Sequence, residues 1–200
     1  NVTDLSRRIR VENFLTPHSD LVALMVLEHQ AMAHNLLTRA SFTARQALHY
    51  EQTLNRELNE PADRRWDSAK SRIKSAAESL VKYFLFCGEA KLTEPLRGTS
   101  RFSDDFAETG PRDQKGRSLR DLDLQTRMFR YPCSYLIYST AFDALPKPAL
   151  DEAYRQLWLA LTGQTKDKEL LAMPPEDRKA VLEILRVTKT NLPAYFQRDN

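Results

Sequence analysis

Glycine is scarce in this chain: there are five in 200 residues. That disfavours an all-β fold, in which turns recur every few residues. Long apolar runs are also missing. The longest, Leu21 to Leu27, falls far short of the roughly 20 residues needed to span a bilayer, so no transmembrane segment is expected. Charge of one sign is not in excess. A net charge of +3 gives no concentrated basic face and argues against nucleic acid as a partner. There are only two cysteines, so CxxC metal or redox pairs and CxxCH haem attachment are excluded. No GxSxG elbow or HExxH helix occurs. What remains is an ordinary globular balance of 42% hydrophobic and 28% charged residues, enough for one domain with a real core.

The apolar residues that are present recur mainly at helical spacing. Thr16-Pro17 predicts a helix start, with Thr16 as cap. The Leu21–Leu27 run, apolar on every side, predicts a buried central helix reaching about Thr38. Thr43 with Gln46 makes a capping-box pattern and predicts a second helix to about Leu58, folded back through a turn at 40–42. Trp66, Ala69, Ile73, Ala76, Ala77, Leu80, Phe84 and Cys87 form the clearest helical stripe. Ser118 with Asp121 predicts another helix, kinked by Pro132 and continuing to Leu145. Pro148 opens a helix carrying Leu150, Tyr154, Leu157 and Leu161. A short piece follows at Leu170-Leu171, and a last helix after Pro174-Pro175 turns Val181, Ile184 and Leu185 inward. Leu192, Tyr195 and Phe196 are expected to dock the tail. The fold class is therefore all-α: an irregular bundle of about six or seven helices around the Leu21–Leu27 helix, in one domain spanning 1–200. Residues 1–15 read as an extended lead-in. Residues 89–117, with Gly98, Gly110, Gly116, Pro95 and Pro111, read as one long irregular loop.

Three polar groupings carry candidate chemistry. Glu28, His29 and His34 interrupt an apolar helix, and burying them costs free energy unless they are paired. If the first two helices form a hairpin, His34 lies opposite His49, and Glu28, His29, His34 and His49 become candidates for a metal or haem site. The alternative is buried, hydrogen-bonded residues that fix helix register. Arg117 and Arg120, at the start of the Ser118 helix, could hold an anion; a solvated basic loop is the plainer reading. Tyr131, Tyr135 and Tyr138 share one helical face near Arg127, Arg130 and Ser134. They fit either an aromatic pocket with a cationic clamp or a core helix whose hydroxyls reach its rim. The triplet Asn1-Val2-Thr3 matches a glycosylation acceptor, an accidental match at a cut terminus. The start at Asn1 reads as a trimmed or mature product.

The stretches Ser19-Asp20-Leu21-Val22-Ala23-Leu24-Met25-Val26-Leu27-Glu28-His29-Gln30 and Tyr131-Pro132-Cys133-Ser134-Tyr135-Leu136-Ile137-Tyr138-Ser139 resemble segments of uncharacterised exported proteins from environmental bacteria, and the chain is similar to their C-terminal part. The resemblance carries no activity. It implies a periplasmic or secreted location within a larger exported protein. Export in turn favours a disulfide between Cys87 and Cys133, since oxidising compartments preserve such bonds. The bridge would close a loop of roughly 46 residues and stabilise by about 4 kcal/mol on a chain-entropy argument. Two reduced core thiols are the alternative. Two function classes follow: a non-catalytic binding or accessory domain with a protein or small-molecule partner, or a metal- or haem-associated redox protein using the Glu/His cluster.

Overall fold

The computed structural model describes residues 4–14 and 17–197. The Thr16 cap and the Asn1-Val2-Thr3 triplet lie outside the described residues. Among the described residues the architecture is all-α, with seven α-helices: α1 Leu21–Glu57, α2 Asp67–Phe84, α3 Phe102–Glu108, α4 Thr140–Asp143, α5 Lys147–Leu161, α6 Lys168–Leu171 and α7 Pro175–Thr188. Single 3-10 turns occupy Tyr135–Tyr138 and Ala194–Gln197. Among the described residues the β-structure consists of two isolated antiparallel bridges, Asp4–His18 and Leu122–Phe129.

Asp20 starts α1, its carboxylate accepting the Val22 and Ala23 amides at 2.9 and 3.1 Å. The helix then runs unbroken for 37 residues, which corrects the hairpin expected at 40–42. No glycine or proline stands in Arg39-Ala40-Ser41-Phe42. The buried stripe Val22, Val26, His29, Ala33, Leu37, Ala40, Ala44, Ala47, Glu51, Asn55 crosses that point without losing phase. Thr43 is simply a mid-helix residue. The helix ends where Asn59 adopts φ 53° and the Glu60 amide bonds the Asn55 carbonyl, a left-handed cap with Pro61 beyond it. Polar side chains fix the turn into α2. Glu51 Oε1 accepts the Trp66 amide, and Asn55 Oδ1 accepts the Trp66 indole N–H, both at 2.7 Å.

The central helix is α2, not the Leu21–Leu27 segment. It packs against α1 on one side and α5 on the other, burying Ala69, Ile73, Ala77, Leu80, Val81 and Phe84. In α1, Val22 and Val26 are buried, whereas Leu21, Leu24 and Leu27 are 46%, 50% and 58% exposed. An all-apolar run is therefore half-sunk here, because only one face meets α2. The α5 stripe, the α7 stripe, the short α6 and the docking of Phe196 are as expected.

The helix expected from Ser118 does not form. Residues 118–134 are irregular but ordered by side chains. Ser118 N–H donates to Asp121 Oδ2 and Gln125 N–H to Asp123 Oδ1, while the Thr126 hydroxyl lies 2.6 Å from Asp123 Oδ2. Aspartates that satisfy nearby amides in this way compete with the helix. Leu124 sits at φ 59°, and the Leu122–Phe129 bridge closes a hairpin-like loop. The 89–117 segment is irregular apart from α3, and its residues 92 and 96 pair with Thr126 and Leu124.

Candidate functional site

The end of α2 organises the most developed concave region. Leu85 caps the helix, Phe86 turns to φ 54°, and the Cys87 amide closes on the Lys82 carbonyl at 2.9 Å. A phenylalanine thus occupies the left-handed position that glycine normally fills. Packing holds it there: its ring stacks on His29 at 4.9 Å between centroids and meets Phe129 at 5.2 Å. The Ser134 amide bonds the Phe84 carbonyl at 2.7 Å, tying the irregular 128–137 segment to the same helix end. Backbone strain kept in place by its surroundings is concentrated at ligand sites in proteins generally.

Two grooves flank this turn and share Phe86, Cys87, Gly88 and Glu89. The larger, about 620 Å³, runs past Leu85, Leu92, Pro132, Met173 and Pro174, with Lys91, Arg127, Glu169 and Asp177 at its rim. The smaller, about 480 Å³, lies against α1 and is lined by Glu28, His29, Met32, Tyr83 and Met128. Both volumes fall in the roughly 300–1,000 Å³ range of small-molecule pockets.

His29 sits at the wall of the smaller groove. It is 5% exposed, with Nε2 at 2.8 Å from Ser134 Oγ. Its ring stacks on Tyr83 at 5.3 Å and touches Phe129 and Tyr135. Burial pushes its pKa down to about 4, so the imidazole is neutral at pH 7. Ser134 Oγ also accepts the Leu136 amide at 3.2 Å. The hydroxyl oxygen has room to accept a second bond, so either tautomer of the neutral ring fits this contact.

The other candidate residues do not join His29. His34 lies five residues further along α1, on a separate shallow groove with Phe42 and Ala144. His49 is 15 positions beyond His34 on the same helix, roughly 22 Å at 1.5 Å per residue, and it is exposed. The hairpin that would have faced them is absent. Glu28 is exposed at the lip of the His29 groove. Among the described residues no three His, Cys, Asp or Glu side chains come together as a metal site.

The arginines are internally committed. Arg117 Nε donates to Asp113 Oδ2, and Nη2 to Glu183 Oε2, both at 2.7 Å. Since no helix starts at Ser118, no ring of free helical amides stands beside it. Arg120 bonds Thr109 and lies over the Phe106 and Tyr135 rings at 4.6 and 4.7 Å. Arg127 grips Asp177 with both guanidinium nitrogens, at 2.6 and 2.9 Å. Arg130 is exposed over Tyr131. Tyr135 is buried beside His29, while the Tyr138 hydroxyl meets Thr188 at 2.6 Å. Of the two readings of this tyrosine face, core packing and ion pairs occupy these residues rather than an aromatic pocket with a cationic clamp.

Cys87 and Cys133 are both free thiols, which corrects the expected disulfide. Cys133 is completely buried, and its pKa is pushed up to about 12. Cys87 lies on the groove wall with its sulfur 3.8 Å from the Glu169 carbonyl, and burial raises its pKa to about 11. Neither is a ready thiolate. Comparison of the chain with family models, with curated proteins and with solved structures returns no match.

Sequence reasoning missed Ser134, Phe86 and Tyr83 as the company of His29. No local spacing could have joined His29 to Ser134, which lies 105 residues away.

Proposed function

We propose that this chain is a non-catalytic binding domain whose ligand site is the pair of grooves around residues 85–92. The observation that carries the reading is the shared wall. A strained Phe86 turn, fixed by packing against His29 and Phe129, presents apolar surface to two clefts of small-molecule size. Preorganised walls lower the ordering cost of binding. A binding role is favoured over chemistry by the state of the reactive groups. The Ser134 hydroxyl in the His29–Ser134 contact has no exposed surface, and both thiols hold their protons. An exported location belongs to the same proposal and rests on the segment resemblance alone.

The test uses methyl-labelled methionine in the intact chain. Met32 and Met128 report on one groove and Met173 on the other. Small amphiphilic compounds should shift at least one of these signals saturably, and Phe86→Ala should weaken that binding. A diverse set that moves none of the three at millimolar concentration would overturn the reading.

A further inference from the structure

We propose that the smaller groove, between α1 and the Phe86–Glu89 turn, binds a substituted ammonium compound that carries a hydroxyl group on a short apolar body. The inference rests on the binding role above and names the ligand class for one of its two clefts.

Charge is the first argument. Glu28 and Glu89 are the charged side chains that line this groove. His29 contributes no positive charge, because burial keeps it neutral at pH 7. The two carboxylates act on one place: burial raises the pKa of the Tyr83 hydroxyl, and both Glu28 and Glu89 add to that shift electrostatically. Neither glutamate forms an ion pair among the described residues. Arg127, the cation that acts electrostatically on Glu89, is bonded to Asp177 and to the Arg130 carbonyl. Partial burial already raises the pKa of Glu89, against the opposing pull of the Met128 amide and Arg127. An incoming cation would offset that cost.

The apolar lining selects the kind of cation. Tyr83 and Phe86 offer aromatic surface, and Met32 and Met128 offer polarizable thioethers. Aromatic rings attract weakly hydrated, alkylated ammonium groups through their quadrupoles, and thioethers adapt to methyl groups. A strongly hydrated inorganic cation would find no ring of oxygens here.

The third observation concerns His29. It is 95% buried, yet its ring borders the groove. Nε2 is used by Ser134, and the other nitrogen, Nδ1, has no partner among the described residues. Nδ1 is a donor or an acceptor according to the tautomer of the ring. A ligand hydroxyl a few bonds from the ammonium centre can serve it in either state.

Three probes of nearly equal shape separate the contributions: choline, its neutral carbon isostere 3,3-dimethylbutan-1-ol, and the anion 3,3-dimethylbutanoate. They are titrated into the methionine-labelled chain at pH 7.5 and low salt. Choline should shift Met32 and Met128 saturably and bind at least about ten-fold more tightly than the neutral alcohol. The anion should leave both signals in place. Glu28→Gln combined with Glu89→Gln should weaken choline about ten-fold and leave both the alcohol and the melting temperature unchanged. Equal binding of all three probes would overturn the cation inference while sparing the binding role. Choline that shifts neither Met32 nor Met128, or that binds the double variant as tightly as the parent, would overturn it too. The broader proposal is then decided by the diverse compound set.

Discussion

Residues 21–32 and residues 128–137 invert each other. The first stretch is regular helix and the more apolar of the two, yet Leu21, Leu24, Leu27 and Met32 stand in solvent. The second contains an arginine, a proline, a serine and two tyrosines and has one 3-10 turn, yet all of it except Arg130 is buried. A helix can bury only the face its neighbours reach. An irregular segment can be surrounded on all sides if its polar backbone finds partners. Here it does. The Ser134 amide bonds Phe84, the Arg130 amide bonds Asp121, and the Ser134 hydroxyl receives Leu136. Burial in this protein follows hydrogen-bond closure at the end of α2 more closely than it follows hydrophobicity.

The comparison breaks most visibly if the irregular segment is given a charge. Ile137 has no exposed surface, and Ile137→Asp would force a carboxyl group into the core. The expected loss exceeds about 4 kcal/mol, seen as the absence of a cooperative melting transition. Phe129→Ala comes next. The ring is 1% exposed and touches His29, Phe86, Phe106 and Tyr135. The expected cost is about 3–5 kcal/mol, measured by urea unfolding. If either variant unfolds like the parent, the segment is not the core it is described as being.

The next largest effect is tied to pH. The folded pKa of His29, about 4, lies below the value of about 6.5 expected in the unfolded chain. The unfolded state therefore binds the extra proton between those limits. The stabilisation is complete above about pH 6.5, declines as pH falls toward 4, and changes no further below that. The loss is on the order of 3 kcal/mol. Stability measured against pH in the parent and in His29→Gln should show the parent losing stability relative to the variant as pH falls through this window. Parallel curves would mean that His29 titrates in the folded protein as it does in the unfolded chain.

Much of the helical framework was legible. The α2, α5 and α7 stripes have regular three- and four-residue spacing with proline or glycine near their ends, and these signals are local. The unbroken α1 was misread because Thr43 and Gln46 fit a cap pattern, while the continuity of Ala40, Ala44 and Ala47 shows only when the whole stripe is followed. The 118–134 segment was misread because Ser118 and Asp121 do pair as in a capping box, but within a turn. The site was legible only in part. His29 stood out as a polar residue in an apolar helix. Its role depends on Ser134, Phe86 and Phe129, which tertiary folding alone brings near. The arginines looked available because the sequence does not show that Asp113, Asp177 and Glu183 come to meet them.

The smallest expected effect sharpens the contrast from the other side. Leu24 lies in the middle of the most apolar run, so Leu24→Asp looks disastrous from sequence alone. In the structure its side chain is 50% exposed, while the buried face of this turn is formed by Val22 and Val26. An aspartate there keeps its charge in water and leaves no cavity behind. It gives up only a partial apolar contact and some helix propensity, a few tenths of a kcal/mol. The aspartate also stands within the first turn of α1, where a negative charge is favourable toward the helix N-terminus. These contributions nearly cancel, and the change should stay within about 0.5 kcal/mol, a shift of no more than about 2 °C in melting temperature for a chain of this size. The same substitution at Val22, two residues earlier and fully buried, should unfold the protein. A thermal melt of the two variants side by side decides the matter. Leu24→Asp losing as much as Val22→Asp would mean that the outer face of α1 is covered after all.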